Sequence, residues 1–547
     1  MTSSPESDRT RRWVALVLVA GAAFRLAYFG LNPSLTVDDA MLSVNIVARS
    51  WAGLTHRLAF QQTAPLGFLW VLRASVLIGG VNEFALRAIP VLAGALLPYA
   101  LWRLARRVLS AGAALLAAAF AALSPILIQY SISAKPYETD ALATIAISLA
   151  GLAVLDNPTR RRWAGLGAVG AVAICFSTPA VFILAGCWIT LVIAGRREWL
   201  PLSLTAAAWA GLFALLYFTM LRREASSAYM QSFWDHRFFA PAALVTDPWR
   251  GWDIVKRLPT QAFTGDTASQ GGLLLCWVAA LAGLVQLRRH GVARLLLLVA
   301  PFVVVFGASA LRRYPVSPRL FVFAAPLVLL VVAAGAELAW ERLNRGVPGL
   351  LVRALVAVWL AVLVVLSLNI SRLWAQPTRE VVAALGPQQH PGEPLYLYPG
   401  AVPAWLYYAT DWRDPADTAQ AAEIEAAERL DGNAFHNRLG RGRAVADTEG
   451  THLVWMHHGR PVLLGLSTGI AWREGQWFSQ EAPDTGWAER EAARIDAATD
   501  STAWLMFANV YRREVFLLTH ALAERRAVVV SSENNRGAML YRVRFTR

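Results

Sequence analysis

Eleven nearly unbroken apolar stretches, most of them about as long as a bilayer core is thick, fill much of this 547-residue chain before residue 375. They fall near residues 13–31, 84–105, 112–130, 138–155, 163–178, 180–195, 199–221, 270–287, 294–311, 320–338 and 349–371. In hydrocarbon a backbone has no water to bond to, so it crosses as a helix or as a closed barrel. Runs of this length read as helices. The runs at 163–178 and 180–195 are short and meet at Pro179, so they are either two spans or one broken at the proline. A further apolar stretch, 66–80, is too short to span comfortably and carries Arg73. It reads as an interfacial helix.

Charge then sets the topology. The chain has 51 basic and 37 acidic residues, a formal net charge of +14, and 56% hydrophobic residues. The arginines sit in short clusters between apolar runs, a pattern of topology control and contact with anionic lipid. No nucleic-acid-binding motif is present, and no nucleic-acid partner is expected. Cys175, Cys187 and Cys276 all fall inside apolar runs, which suggests neither a disulfide framework nor a zinc site. The first run lacks a small-residue cleavage site and reads as a retained helix. Arg9, Arg11 and Arg12 precede it and place the N-terminus in the cytoplasm. With alternation, Arg103/Arg106/Arg107, Arg160–Arg162, Arg196/Arg197, Arg288/Arg289/Arg294 and Arg342/Arg345 share that side. An odd number of spans puts the C-terminal region outside.

The outer side then holds a loop at 32–83, a loop at 222–269 and a tail from about 375. It also holds Lys135, Arg222, Arg223, Arg312, Arg313 and Arg319, which the topology rule does not want there. Either a bound phosphate or lipid phosphates would explain them.

In the first outer loop, Thr36-Val37-Asp38-Asp39 opens a helical pattern. Val37, Met41, Val44, Ala48 and Trp51 share one face, with Asp38, Asn45 and Arg49 on a flank. Such a helix is expected to lie flat in the membrane interface. Thr36 and Asp39 have capping-box spacing. Any acid in a first turn gains from the helix dipole, so spacing alone favours capping by both acids. The other role for Asp38 is to deprotonate a hydroxyl. The second outer loop contains Lys135, one of only two lysines in the chain, between Ala134 and Pro136. A compact ammonium there suits a phosphate, or pairs with Glu138 or Asp140.

Taken together, several segments resemble the GT-C glycosyltransferases, broadly glycosyltransferase family 39 with its protein O-mannosyltransferases and aminoarabinose lipid A transferases. These are Val37–Ile46, Gln62-Thr63-Ala64-Pro65-Leu66-Gly67-Phe68-Leu69, Asn82–Arg87, Tyr130–Asp140 and Tyr314-Pro315-Val316-Ser317-Pro318-Arg319. The resemblance covers about residues 10–340. It implies a GT-C-like catalytic domain over 1–374 in the plasma (inner) membrane, while the pattern of the remaining chain gives an extracytoplasmic α/β domain over 375–547. It also implies a sugar on a polyprenyl phosphate as donor, and a glycan, lipid or protein acceptor. Asp38 would be the general base, with Asp39 beside it. Lys135, Arg319, Arg313 and Tyr137 would hold the phosphate, and Gln62, Glu138, Asp140 and Tyr314 would line the substrate site. Relatives usually read Asp-Glu where this chain reads Asp38-Asp39, which leaves the second position's role open. Inversion at the anomeric carbon is expected. The chemistry demands no cofactor, and a divalent metal is compatible with it. His457-His458 would diverge on a strand and reads as non-ligating.

In the loop at 222–269, Tyr229, Phe233, Trp234, Phe238, Phe239, Trp249 and Trp252 read first as membrane anchors, otherwise as a lipid groove or sugar platform. After residue 375, strands are expected at 395–398, 452–456, 503–507, 527–530 and 539–543, with helices at 418–430, 486–498 and 513–525, an α/β pattern. A transporter or flippase is the main rival. Such proteins carry mid-membrane charges and internal repeats, whereas here the charges cluster at span ends and no repeat is visible. A regulatory membrane subunit would leave the acidic and basic loops without a shared purpose. A lipid-linked oligosaccharide ligase keeps the fold but changes the donor.

Overall fold

The structure is a computed structural model. It describes residues 5–195, 198–222, 228–265, 270–370, 376–419, 421–422, 454–458, 460–465, 470–473, 476–479, 485–508, 512–535 and 537–546. Every one of the eleven apolar runs is helical. α1 (Pro5–Leu31) leads to two shorter helices, α2 (Val37–Ala48) and α3 (Leu66–Gly79), and then to α4 (Glu83–Ala105). α5 (Ala111–Leu123) and α6 (Pro125–Ser131) form one unit bent by 53°. The bend has a plain cause: Pro125 has no N–H to continue the ladder. The Ser124 hydroxyl at the break donates to the Ala262 carbonyl at 2.9 Å.

α7 (Tyr137–Asp156), α8 (Arg160–Phe176), α9 (Ala180–Ile193) and α10 (Trp199–Leu216) follow. Then come α11 (Pro248–Thr264), α12 (Gln270–Arg289), α13 (Val292–Ala310), α14 (Ala325–Leu343) and α15 (Gly346–Leu368). Among the described residues eight helices are long and apolar enough to cross a membrane, and the bent pair makes a ninth. α8 and α9 are separate helices on either side of Ser177–Pro179, which resolves the break expected at Pro179. This is a multi-pass membrane protein. α12 and α14 touch backbone to backbone: a Cβ on Gly283 would collide with the Val331 carbonyl oxygen, and one on Gly335 with that of Ala279.

Arginines from several of these clusters meet acids at one end of the bundle. Asp156 pairs with Arg107 at 3.4 Å and with Arg294 at 3.0 Å, and Arg289 pairs with Glu341 at 3.4 Å. At the other end stands a C-terminal α/β domain. It comprises α16 (Thr378–Gln388), β1 (Leu395–Leu397), α17 (Val402–Ala409), β2 (Val454–His457) and β3 (Arg460–Leu464). A separate hairpin, β4 (Ile470–Arg473) with β5 (Gln476–Ser479), precedes α18 (Thr485–Ala497), β6 (Thr502–Ala508), α19 (Arg512–Glu524), β7 (Ala527–Asn535) and β8 (Ala538–Phe545). The six-stranded sheet has the order β2-β3-β1-β6-β8-β7. β1 is parallel to both β3 and β6, so Tyr396 stands beside Leu463 and Leu505. The expected strands and the helices at 486–498 and 513–525 are present, whereas most of 418–430 lies outside the described residues.

Two sequence expectations are corrected. α2 does not present an apolar face to the membrane interface. Nine of its twelve residues are buried. Leu42 and Ile46 share one core with Phe68 of α3, Trp405 and Leu406 of α17, and Trp504 of β6. At about 1.5–3 kcal/mol for each large apolar side chain, this burial outweighs any gain from lying in the interface. Nor do His457 and His458 diverge. His458 sits at φ 48°, in the left-handed turn between β2 and β3, and its ring lies 4.3 Å from that of His457. Burial pushes the His457 imidazole down to about 4, with His458 adding to the effect and Asp417 opposing it.

Polar clamps fix the loop that carries α2. Arg73 of α3 donates to the Ile46 and Val47 carbonyls at 3.0 and 2.8 Å, satisfying the end of α2. Arg87, only 1% exposed, donates to Pro33 O at 2.6 Å, Ser34 O at 3.2 Å and Asn32 Oδ1 at 3.1 Å. Glu83 joins Arg379 at 2.8 Å and accepts from the Tyr408 hydroxyl at 2.9 Å. The segment Asn82–Arg87 is therefore a structural buckle. Arg87→Ala takes the guanidinium donor from the buried Ser34 carbonyl and the half-buried Pro33 carbonyl, at a cost of about 1–3 kcal/mol for the buried one if water cannot replace it. Thermal unfolding in detergent should show a clearly lowered midpoint; an unchanged midpoint would contradict this role.

Candidate functional site

Three distant stretches of chain meet at the end of the bundle that bears the α/β domain. Asp38 stands in the first turn of α2, whose backbone starts are fixed from outside. Thr36 Oγ1 accepts from the Asp39 N–H at 3.2 Å, and the Gln376 side chain accepts from the Val37 N–H at 2.9 Å. Arg319 begins the short 3₁₀ turn 319–324 that leads into α14. Its guanidinium binds the Asp38 carboxylate directly through Nη1 and lies over the Trp234 ring, 5.0 Å from the centroid. Lys135, 7% exposed, comes from the link between α6 and α7 and donates to Gln62 Oε1 at 2.5 Å. Lys135 forms no ion pair among the described residues.

These groups make one electrostatic cluster. Burial would raise the Asp38 carboxyl, but Arg319 and then Lys135 outweigh it and hold it below its ordinary value. Burial draws the Lys135 ammonium down, with Asp38 and Asp39 opposing and Arg319 assisting. A buried ammonium beside a neutral amide leaves room for an anion. The Asp38 side chain is 43% exposed and that of Arg319 28%, so the pair faces open space rather than sealed core.

Asp39 has a different job from the one its spacing suggests. Thr36 does cap the helix, but the Asp39 carboxylate is not returned to close a capping box. It accepts from the Ser133 hydroxyl at 2.5 Å and ties the first outer loop to the second. Gln62 joins the site through Lys135. Tyr137 packs edge-on against Tyr130 at 4.7 Å, and both rings feel the charges of Asp38 and Arg319. Tyr314 donates to Leu320 O at 2.7 Å and packs on Phe182 at 4.8 Å; Asp140 lies within electrostatic reach of it.

Two candidates stand apart. Glu138 is fully buried in the bundle and faces Arg25, which itself donates to Gly21, Ala121 and Ala122 carbonyls at 3.0, 3.0 and 3.2 Å. Arg313 is exposed, and its side chain makes no polar contact among the described residues.

Sequence reasoning missed the particular parts played by Trp234 and Ser133, and it missed Gln61. Phe60 and Gln61 both adopt positive φ, 56° and 51°, next to Gln62. Two successive left-handed residues store strain of the kind that functional loops hold. Of the aromatic loop, Phe239 packs on Phe306 at 5.1 Å, Arg312 lies over Phe238 at 4.9 Å, and Trp252 is exposed. Those rings serve the bundle as much as the membrane. The side chains of Tyr229 and Trp249, and Arg223 as a whole, lie outside the described residues.

Residues 63–221 match the family model described as dolichyl-phosphate-mannose-protein mannosyltransferase. Among solved structures, ArnT from Cupriavidus metallidurans in the apo state aligns over 98% of each chain, with a TM-score of 0.54 and 14% identity. The chain has the GT-C fold and resembles glycosyltransferase family 39. The same ArnT bound to undecaprenyl phosphate aligns over 97% of this chain and 98% of its own, at a TM-score of 0.50 and 14% identity. The apo oligosaccharyltransferase of Archaeoglobus fulgidus aligns over 97% of this chain and 74% of its own, at 0.50 and 14%. No curated protein matches. In this GT-C chain the family-model match begins at Thr63, so Asp38 and Arg319 stand on their own geometry.

The sign of the pH dependence follows from the lowered Asp38 value. A carboxylate held down by cations stays ionised as pH falls, and it protonates only below the usual carboxylate range. If Asp38 must be ionised to act, the acid limb of the rate profile lies there. Arg319→Gln removes the larger stabilising charge and moves that limb upward. A limb that stays in place in this variant would show that Asp38 is not the group titrating.

Proposed function

We propose that this chain is an inverting glycosyltransferase that moves a sugar from a polyprenyl-phosphate donor to a hydroxyl acceptor at the extracytoplasmic face of the plasma (inner) membrane. The observation that carries this reading is the Asp38–Arg319 pair with Lys135 beside it, open on one side. Residues 1–374 act as the catalytic domain and 375–547 as an extracytoplasmic domain that walls the site. The N-terminus lies in the cytoplasm, where the arginine clusters keep the opposite end of the bundle.

The chemistry needs three things from the protein. An acceptor hydroxyl must lose its proton, the anomeric carbon must be attacked from behind, and the departing phosphate must be stabilised. Asp38 takes the proton as the acceptor oxygen bonds to the anomeric carbon. The bond from that carbon to the phosphate oxygen breaks, and its electron pair leaves with the phosphate. Lys135 and Arg319 meet the negative charge that develops there. Arg319 has five donors in a planar fork, so it can hold Asp38 with one nitrogen and the phosphate with others. Trp234 stacks on the guanidinium and keeps the fork in plane. Tyr137, Tyr314, Gln62 and Asp140 line the substrate side. Glu138 faces Arg25 within the bundle, away from the reacting groups, and Arg313 meets lipid or donor phosphates from the surface. Two cations in place of a Lewis acid leave the reaction without need of a cofactor, and a divalent metal would add to their charge.

Asp38→Asn keeps the shape of the side chain but cannot take a proton. Transfer from a polyprenyl-phosphate sugar should fall by at least about 100-fold, with folding unchanged. Turnover near that of the unaltered protein would refute the base. Lys135→Ala should raise the donor KM or lower kcat while the acceptor KM changes little. An unchanged donor KM together with an unchanged kcat would remove Lys135 from the phosphate site. The donor itself is read most directly by mass spectrometry of the lipid-linked sugars that accumulate when the protein is deleted.

A further inference from the structure

The β2–β3 hairpin carries a cluster that glycosyl transfer does not use. His457 ends β2, and His458 turns into the left-handed region at φ 48°. This turn brings two adjacent imidazoles face to edge, 4.3 Å apart at 76°. Asp417, from the segment after α17, reaches the same place. Its Oδ2 lies 2.9 Å from His458 Nε2 and also accepts from the Asp411 N–H at 2.9 Å. One ligand-type atom from each of Asp417, His457 and His458 lies within 4.8 Å of the other two.

We propose that Asp417, His457 and His458 form a binding site for a borderline divalent transition cation, with zinc the best fit. Two imidazole nitrogens and one carboxylate oxygen are a donor set that zinc takes, whereas calcium and magnesium favour oxygen throughout. With metal–ligand bonds of about 2.0–2.2 Å, neighbouring ligand atoms on one tetrahedral zinc stand roughly 3.3 Å apart. The Asp417–His458 spacing already approaches that value, and ligation draws His457 in from the wider separation. Asp417 and His457 are buried, while the His458 side chain is 55% exposed, so an ion can enter from solvent and keep one position open. Trp405 packs edge-on against His457 at 4.8 Å and limits how that ring can turn. The nearest cation on the hairpin, Arg460, is directed elsewhere: its guanidinium donates to Gly386 O at 3.3 Å. The ion would fasten an edge hairpin of the sheet to the segment leaving α17, the helix that packs on α2. It would thus brace the wall behind Asp38 without touching the reacting groups.

The test uses the full-length protein in detergent, stripped with a chelator and titrated with Zn²⁺ by calorimetry and with Co²⁺ by visible absorption. One equivalent of Zn²⁺ should bind, and Co²⁺ should give the intense visible bands of a tetrahedral site. His458→Ala, at an exposed position, and Asp417→Asn should each weaken binding at least about tenfold. Both should abolish the rise in thermal midpoint that Zn²⁺ gives the unaltered protein. Asp38→Asn should keep its equivalent of zinc. The assignment is overturned if the unaltered protein binds no zinc, if His458→Ala and Asp417→Asn bind it as well as the unaltered protein does, or if Asp38→Asn is the variant that loses it.

Discussion

A carboxylate held beside an arginine and within reach of a buried lysine is the constraint on which this site depends. Without those cations, burial would raise the Asp38 carboxyl and make it a less readily ionised group. Placed beside Arg319 and Lys135, it stays ionised. The cations need the carboxylates in turn. Asp38 and Asp39 offset two positive charges, and Lys135 is left against a neutral amide, so the cluster is balanced yet receptive to one more anion. Much of the surrounding structure keeps that arrangement in register. Thr36 caps α2, Arg73 closes its far end, Arg87 grips the chain before it, and Ser133 links Asp39 to the loop that carries Lys135.

How much of this was legible in the sequence depends on range. The spans were plain because an apolar run of about 20 residues leaves the backbone few alternatives. The break at Pro179 was visible because proline lacks an N–H, whereas the 53° bend at Ser124-Pro125 fell unnoticed inside the run 112–130. Lys135 and Arg319 stood out because each broke a local habit: a rare lysine, and an arginine on the side that the topology rule disfavours. Asp38 was singled out only by the family resemblance, since its spacing alone favoured a helix cap. The environment of α2 was not legible, because Trp405 and Trp504, which bury it, lie more than 350 residues away. The role of Asp39 failed to show for the same reason: its partner Ser133 is 94 residues distant. Glu138 follows Tyr137 directly in a helix, so consecutive side chains point in different directions, and Glu138 turns into the bundle toward Arg25. The histidine pair was misread because strand geometry was assumed where a left-handed turn intervenes.

The likenesses and the geometry carry different weights. Alignment with ArnT over nearly the whole of both chains fixes the fold, at an identity too low to transfer a residue's role. The family-model match stops short of both Asp38 and Arg319. The assignment of a base and of phosphate-binding cations therefore stands on what the side chains do in this molecule: which charges face each other, which are buried, and which side is open.

The most direct measurement is a structure of the protein with a polyprenyl phosphate bound. The account places the phosphate within hydrogen-bonding distance of Lys135 Nζ and the Arg319 guanidinium, with Asp38 still beside Arg319 and facing the side from which an acceptor enters. A phosphate seated elsewhere, with Lys135 still bound to Gln62 and no oxygen near Arg319, would contradict it.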